Sequence, residues 1–128
     1  ISSILHFPKR FLPQAKQHLT VWYKIRALEK IVERCGYYAN ITRLKYSTIK
    51  LSSAESTWGS CGYKGSLNIN WKLIMAPPSI LDYIIVHELV HLVEKNHSKR
   101  FWDRVRTILP DYEEQESWLK QRGNTLVL

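Results

Sequence analysis

The chain has 128 residues, a formal net charge of +8, 45% hydrophobic and 23% charged residues, and two cysteines. That is the length of one domain with a substantial core, and its composition is that of a globular protein with too few cysteines for a disulfide scaffold. No apolar run approaches the ~20 residues that span a bilayer and no secretory leader is visible, so no membrane partner, a cytoplasmic setting, and unpaired Cys35 and Cys61 are expected.

The positive excess lies in the first half: residues 1–64 carry eleven Lys or Arg against three Glu, whereas residues 65–128 carry eight of each sign. A basic half of this kind can draw DNA or a DNA-bound protein, although a solvated helix face is the simpler account. The chain opens on Ile1 rather than Met, which reads as a fragment of a longer protein.

Residues 1–13 read as an irregular lead-in punctuated by Pro8 and Pro13. Over 14–36 the pattern is helical: Val21, Ile25, Leu28, Val32 and Cys35 recur at steps of four and three, with Pro13 suited to the start and Gly36 to the end. Lys16, Lys24, Lys30 and Arg34 fall largely off that stripe and are the candidate basic surface. Residues 41–71 carry the sheet. Ile41, Leu44, Tyr46, Ile49 and Leu51 read as a first strand over 41–51, with an alternation that slips near Thr48, and residues 57–71 read as a β-hairpin turning at Gly62–Gly65. In the return strand Leu67, Ile69 and Trp71 alternate with Ser66, Asn68 and Asn70. As an exposed sheet edge, this strand would pair with an extended peptide through main-chain hydrogen bonds, which makes Asn68 and Asn70 the candidate substrate contacts.

Pro77-Pro78 stop a short turn, and Ser79, with Asp82 three residues on, favours the start of a helix. Residues 78–97 form this helix and its closing turn. They contain His87-Glu88-Leu89-Val90-His91, in which positions four apart lie about 40° apart in helical projection, so both imidazoles face one point while Glu88 flanks them. A catalytic zinc usually takes three protein ligands and leaves a position open. His97 is the nearest third candidate. On an unbroken helix it would project about 80° away and lie further along the axis, so the helix must end between His91 and His97, with Asn96 a plausible terminator. Ile84, Ile85, Val86, Leu89, Val90, Leu92 and Val93 leave this helix no polar face, and a metal would satisfy the buried polar groups it carries. The three histidines then hold one Zn²⁺ per chain, and Glu88 takes the proton of a water whose pKa the metal lowers from about 15.7 toward about 7. Residues 98–123 make the C-terminal helices. Ser98 caps the first, with Phe101, Trp102, Val105, Ile108 and Leu109 before Pro110, and the second runs from Tyr112 to about Gln121 with Gly123 at its end. The apolar tail 124–128 is suited to docking.

Taken together, WGSC at 58–61, GSLNINWKLIMAPPSILDYIIVHELVHLVEKNHSKRFW at 65–102 and Pro110-Asp111-Tyr112 resemble the YgjP-like metallopeptidase domain, a zincin family related to the SprT and Spartan proteases. The resemblance covers roughly residues 14–128 and is specific at 58–112. It implies zinc at His87, His91 and His97, Glu88 as general base, and a single α+β domain over 1–128: an N-terminal helix, a twisted antiparallel-rich sheet, the HExxH helix and C-terminal helices. It also makes the strand of Trp58 to Cys61 mainly structural; relatives commonly carry a basic residue just before Trp58, where this chain has Thr57.

The spacing from His91 to His97 is shared with metzincins, but Glu94 stands where those enzymes have Gly and no Met-turn follows, Met75 being upstream. A carboxylate third ligand remains open at Asp103, Glu113, Glu114 or Glu116. Tyr112 is the candidate oxyanion donor beside the metal, with a core-capping role as the plainer alternative, and Asp103 could instead accept the free N–H of a ligand histidine. The leading expectation is a zinc endopeptidase acting on protein or peptide substrates. Against it stand a zinc-stabilised DNA- or protein-binding module with little turnover, and hydrolysis of a non-peptide amide. Glu88 favours the enzymes, since a structural zinc site has no use for an unliganded carboxylate.

Overall fold

A computed structural model describes residues 12–127. The lead-in expected over 1–13 therefore lies, for residues 1–11, outside the described residues. Helix α1 runs over Leu12–Thr42, six residues beyond the expected stop at Gly36. Gly36 is tolerated inside it because Cys35 and Tyr38, on either side, are buried, and their packing offsets the ~1 kcal/mol that a helical glycine costs. The helix closes at Arg43, which takes a left-handed φ of 63°. There Thr42 Oγ1 donates to the Tyr38 carbonyl at 2.6 Å and accepts the Leu44 N–H at 3.3 Å.

The face that α1 buries also differs from the expected stripe. Ala27, Ile31, Cys35 and Tyr38 enter the core, whereas Val21 and Ile25 are 58% and 51% exposed and Leu28 and Val32 are exposed too. Both rows have helical spacing, so periodicity alone does not rank them. The choice is made from outside the helix: Arg34 grips Asp82 through Nε at 2.9 Å and Nη2 at 3.0 Å, and the Tyr38 hydroxyl reaches the same carboxylate at 3.0 Å. This forked, part-buried pair rotates α1 against the helix bearing Asp82. Hydrogen bonding to Asp82 is the largest influence raising the Arg34 pKa, so the guanidinium stays charged.

Strand β1 is Thr48–Ser52, beginning where the alternation slips, because residues 41–42 belong to α1. The hairpin is present as β2 (Gly59–Cys61) antiparallel to β3 (Ser66–Asn70). Gly65 supplies its turn with φ 83° and donates to the Gly62 carbonyl at 2.9 Å. The sheet order is β1-β3-β2, with β1 parallel to β3, so the sheet is evenly mixed rather than antiparallel-rich. It also places β3 at the centre. The strand expected to offer a free edge has none, and the edge strand beside the following helix is β2.

A 3₁₀ turn over Trp71–Met75 leads into α2, Pro78–Val90. Its N-terminus uses no Ser79 side-chain cap; Ile80 N–H bonds to the Pro77 carbonyl at 2.9 Å, and Asp82 is taken by Arg34. Ile85, Val86, Leu89 and Val90 are fully buried, which makes α2 the central element of the core. Helices α3 (Lys99–Ile108) and α4 (Tyr112–Arg122) follow as expected, although the Ser98 hydroxyl makes no capping bond. Leu126 docks the tail. Trp58 packs on Gly123, where an added Cβ would lie 2.9 Å from its ring, so the WGSC tryptophan fastens the sheet to the C-terminal end of the fold. Both cysteines are free, and burial pushes the Cys35 thiol up to about 12. No described helix is long and apolar enough to cross a membrane.

Candidate active site

The last turn of α2 carries His87, and His91 is its C-terminal cap, with a weak 3.4 Å bond from His91 N–H to the His87 carbonyl. The helix thus ends at Val90, six residues before Asn96. What ends it is tertiary: the Glu94 carbonyl turns back to accept from His91 Nδ1 at 3.1 Å, and the Glu94 carboxylate is held by Arg104 Nε at 3.0 Å. This sharp reversal returns His97 to the other two. The ligand-capable atoms of His87, His91 and His97 all lie within 4.8 Å of one another, and no other such group of three or more occurs among the described residues.

The donor set suits a divalent metal. An Nδ1–H of His91 spent on the Glu94 carbonyl assigns the free lone pair to Nε2, and that nitrogen faces His97 Nε2 at 3.0 Å. Glu88 Oε2 lies 3.2 Å from His87 Nδ1 and fixes that ring in the same sense. Burial first, and then His87 and His91, hold the His97 pKa below the usual imidazole value. A neutral His97 is the form that ligates. Glu88 itself is 4% exposed and, among the described residues, its Oε1 accepts no hydrogen bond.

An aromatic wall supports the cluster. The ring of Phe101, fully buried, lies 4.9 Å from His87, 4.6 Å from His91 and 4.9 Å from His97 between centroids. Trp102 stacks on His97 at 5.8 Å, Tyr112 on Trp102 at 5.1 Å, and Tyr83 on Tyr112 at 6.3 Å. Beyond their place in the family resemblance, Phe101 and Trp102 read in the sequence only as apolar helix positions. Their closeness to His97 in sequence was the available signal, since a helix starting at Lys99 keeps its first turn near that ligand.

Tyr112 is buried, and its hydroxyl accepts from Arg106 Nη2 at 3.2 Å rather than from any group of the histidine cluster. Asp103 pairs with Lys99 at 2.7 Å and is not hydrogen-bonded to a histidine. Glu113 lies 3.8 Å from Arg106, and Glu114 is exposed. None of these carboxylates, nor Glu116, joins the metal-capable group. Asn70 has a different task from the one expected: its amide donates to the Ala54 and Thr57 carbonyls at 2.8 and 3.2 Å and accepts from Lys72 N–H at 3.0 Å. With those bonds made and 1% exposure, its side chain fastens the 53–57 loop. Asn68 donates to Ser60 Oγ at 3.2 Å, across the β2–β3 pair.

Strand β2 comes close enough to α2 that a Cβ on Gly59 would sit 3.0 Å from Glu88 Cγ and 3.0 Å from Ile84 Cγ2. Gly59→Ala is therefore expected to displace Glu88, lowering turnover about tenfold or more while metal binding persists, at an overpacking cost of about 1–3 kcal/mol. Metal content, turnover and urea midpoint of the variant check this; a variant with normal turnover would remove the strand from the argument. Alongside Glu88, between β2, α2 and α4, opens a pocket of 360 Å³.

A family model described as "YgjP-like, metallopeptidase domain" matches residues 6–122. No match to a curated protein was found. Two solved structures share the fold. The metallopeptidase zymogen of Pyrococcus abyssi abylysin aligns with TM-score 0.65 and 18% identity over 72% of this chain and 93% of that one. That of Methanocaldococcus jannaschii jannalysin gives 0.63 and 22% over 72% and 95%.

Proposed function

The chain belongs to the YgjP-like metallopeptidase family, and from that premise we propose that it is a zinc endopeptidase in which His87, His91 and His97 hold the ion and Glu88 is the general base. The observation that carries this reading is the convergence of three imidazoles, drawn from a helix end and the loop beyond it, beside a buried carboxylate that is not part of the ligand group. Three neutral nitrogens suit zinc and leave a position for substrate or water. A metal held there by the three histidines would polarise the scissile carbonyl and make water acidic enough to give up a proton at neutral pH. Glu88 Oε1 accepts that proton and delivers it to the departing amine nitrogen, so one carboxylate serves both halves of the hydrolysis. Strand β2, an edge next to α2, is the element that can hold an extended substrate by main-chain hydrogen bonds.

A binding module is supported less well. Of the four candidate cations on α1, Arg34 is committed to Asp82 and Lys30 to Glu33, and Lys24 lies over the Trp71 ring, so the basic surface is partly spent within the fold.

The test is metal content together with cleavage of an unfolded protein. The expected result is one zinc per chain, internal cuts, loss of cutting on chelation and its return with zinc. A chain that holds zinc one to one and cuts nothing would instead support the binding module.

A further inference from the structure

We propose that the pocket beside Glu88 receives a substrate side chain adjacent to the scissile bond, and that Glu116 makes it select lysine or arginine; this rests on the catalytic reading given above. The pocket adjoins the proposed reaction centre, because His87 and Glu88 are part of its lining. Any peptide whose carbonyl lies over the histidines must therefore send a neighbouring side chain into it or leave it empty. At 360 Å³ it is at the small end of ligand sites, which suits one side chain rather than a whole small molecule.

Its walls have two characters. Trp58, Ile84 and Leu119 are apolar and match a methylene stem. At the α4 side stands Glu116, half-buried, with no cation within 4.0 Å of its carboxylate among the described residues. Lys120, one turn further on, also borders the pocket but is exposed and forms no ion pair with Glu116. With Glu88 also in the lining, the partly desolvated charges are negative, and a long cation with an apolar stem is what complements them.

The experiment maps cut sites made by the zinc-loaded protein in a mixture of unfolded proteins. Lys and Arg are expected to be enriched at one fixed position beside the cut. A peptide pair differing there only as lysine against norleucine should then differ about tenfold in kcat/KM, the size of one charge-assisted contact at a half-exposed site. In Glu116→Gln that ratio should fall to about one, and in Glu116→Lys the enrichment should move to Asp or Glu. Cuts with no basic preference, with an acidic one, or with a lysine preference that survives Glu116→Gln overturn the proposal while leaving the peptidase intact. If the wild type cuts nothing, the catalytic reading fails. The pocket is then judged by binding of the same two peptides, read by isothermal titration calorimetry, where equal affinities overturn it.

Discussion

Glu88→Gln is expected to keep its zinc and lose its turnover by roughly 10²–10⁴-fold. Gln fills the same buried slot, and its side-chain carbonyl can still accept from His87 Nδ1, so the ligand ring keeps its tautomer. What disappears is the proposed general base, the group that would take a proton from water and pass it on. His97→Ala provides the contrast: it removes a ligand from a group that has no spare member among the described residues, so metal and cleavage should fall together. Zinc content by elemental analysis and cleavage of an unfolded protein, measured on the same preparations, separate the two effects. A Glu88→Gln protein that cuts at the wild-type rate would transfer the general base to another group, and one that loses its zinc would show Glu88 acting on the metal instead.

The site was legible in the sequence because its parts are close in sequence. His87 and His91 are one helical turn apart, and the need for a third ligand pointed to a chain reversal before His97, which the structure contains. The position of that reversal was not legible. It depends on the Glu94 carbonyl meeting His91 and on Arg104, ten residues away, holding the Glu94 carboxylate. No capping rule weighs such contacts. The same limit explains α1, where two apolar rows compete and a partner 48 residues away, Asp82, decides between them.

Sheet order is the third case. The alternation of Leu67, Ile69 and Trp71 located β3 and gave its buried side, but alternation describes faces, not neighbours. Only the parallel pairing of β1 with β3 shows that β3 is covered along both edges and that β2 borders the active-site helix. This changes what the asparagines mean. Asn70 lies in the central strand with its amide buried, so its polar atoms have to be satisfied internally, and they are. Tyr112 shows the same pattern: its position after the third ligand suggested chemistry, while its stacking on Trp102 and its bond to Arg106 make it part of the wall that supports His97.

That wall leads to the second large effect, at Phe101. One ring lies against all three imidazoles, and His97, on a loop and more exposed than its partners, depends on this packing and on Trp102 for its orientation. Phe101→Ala is expected to cost about 3–5 kcal/mol of stability, as a fully buried phenylalanine does when a cavity replaces it. Phe101→Leu retains much of the volume and should cost far less, yet it removes the flat surface on which the rings rest. Its zinc affinity is expected to fall about 10–100-fold, the range seen when the groups that orient metal ligands are lost. Val105→Ala is the control, being equally buried on the same helix one turn further from His97 in sequence. Competition titration with a chromophoric chelator, together with urea unfolding of the metal-free proteins, distinguishes the cases. If Phe101→Leu binds zinc as tightly as Val105→Ala at matched stability, Phe101 is only a core residue and the histidines orient themselves.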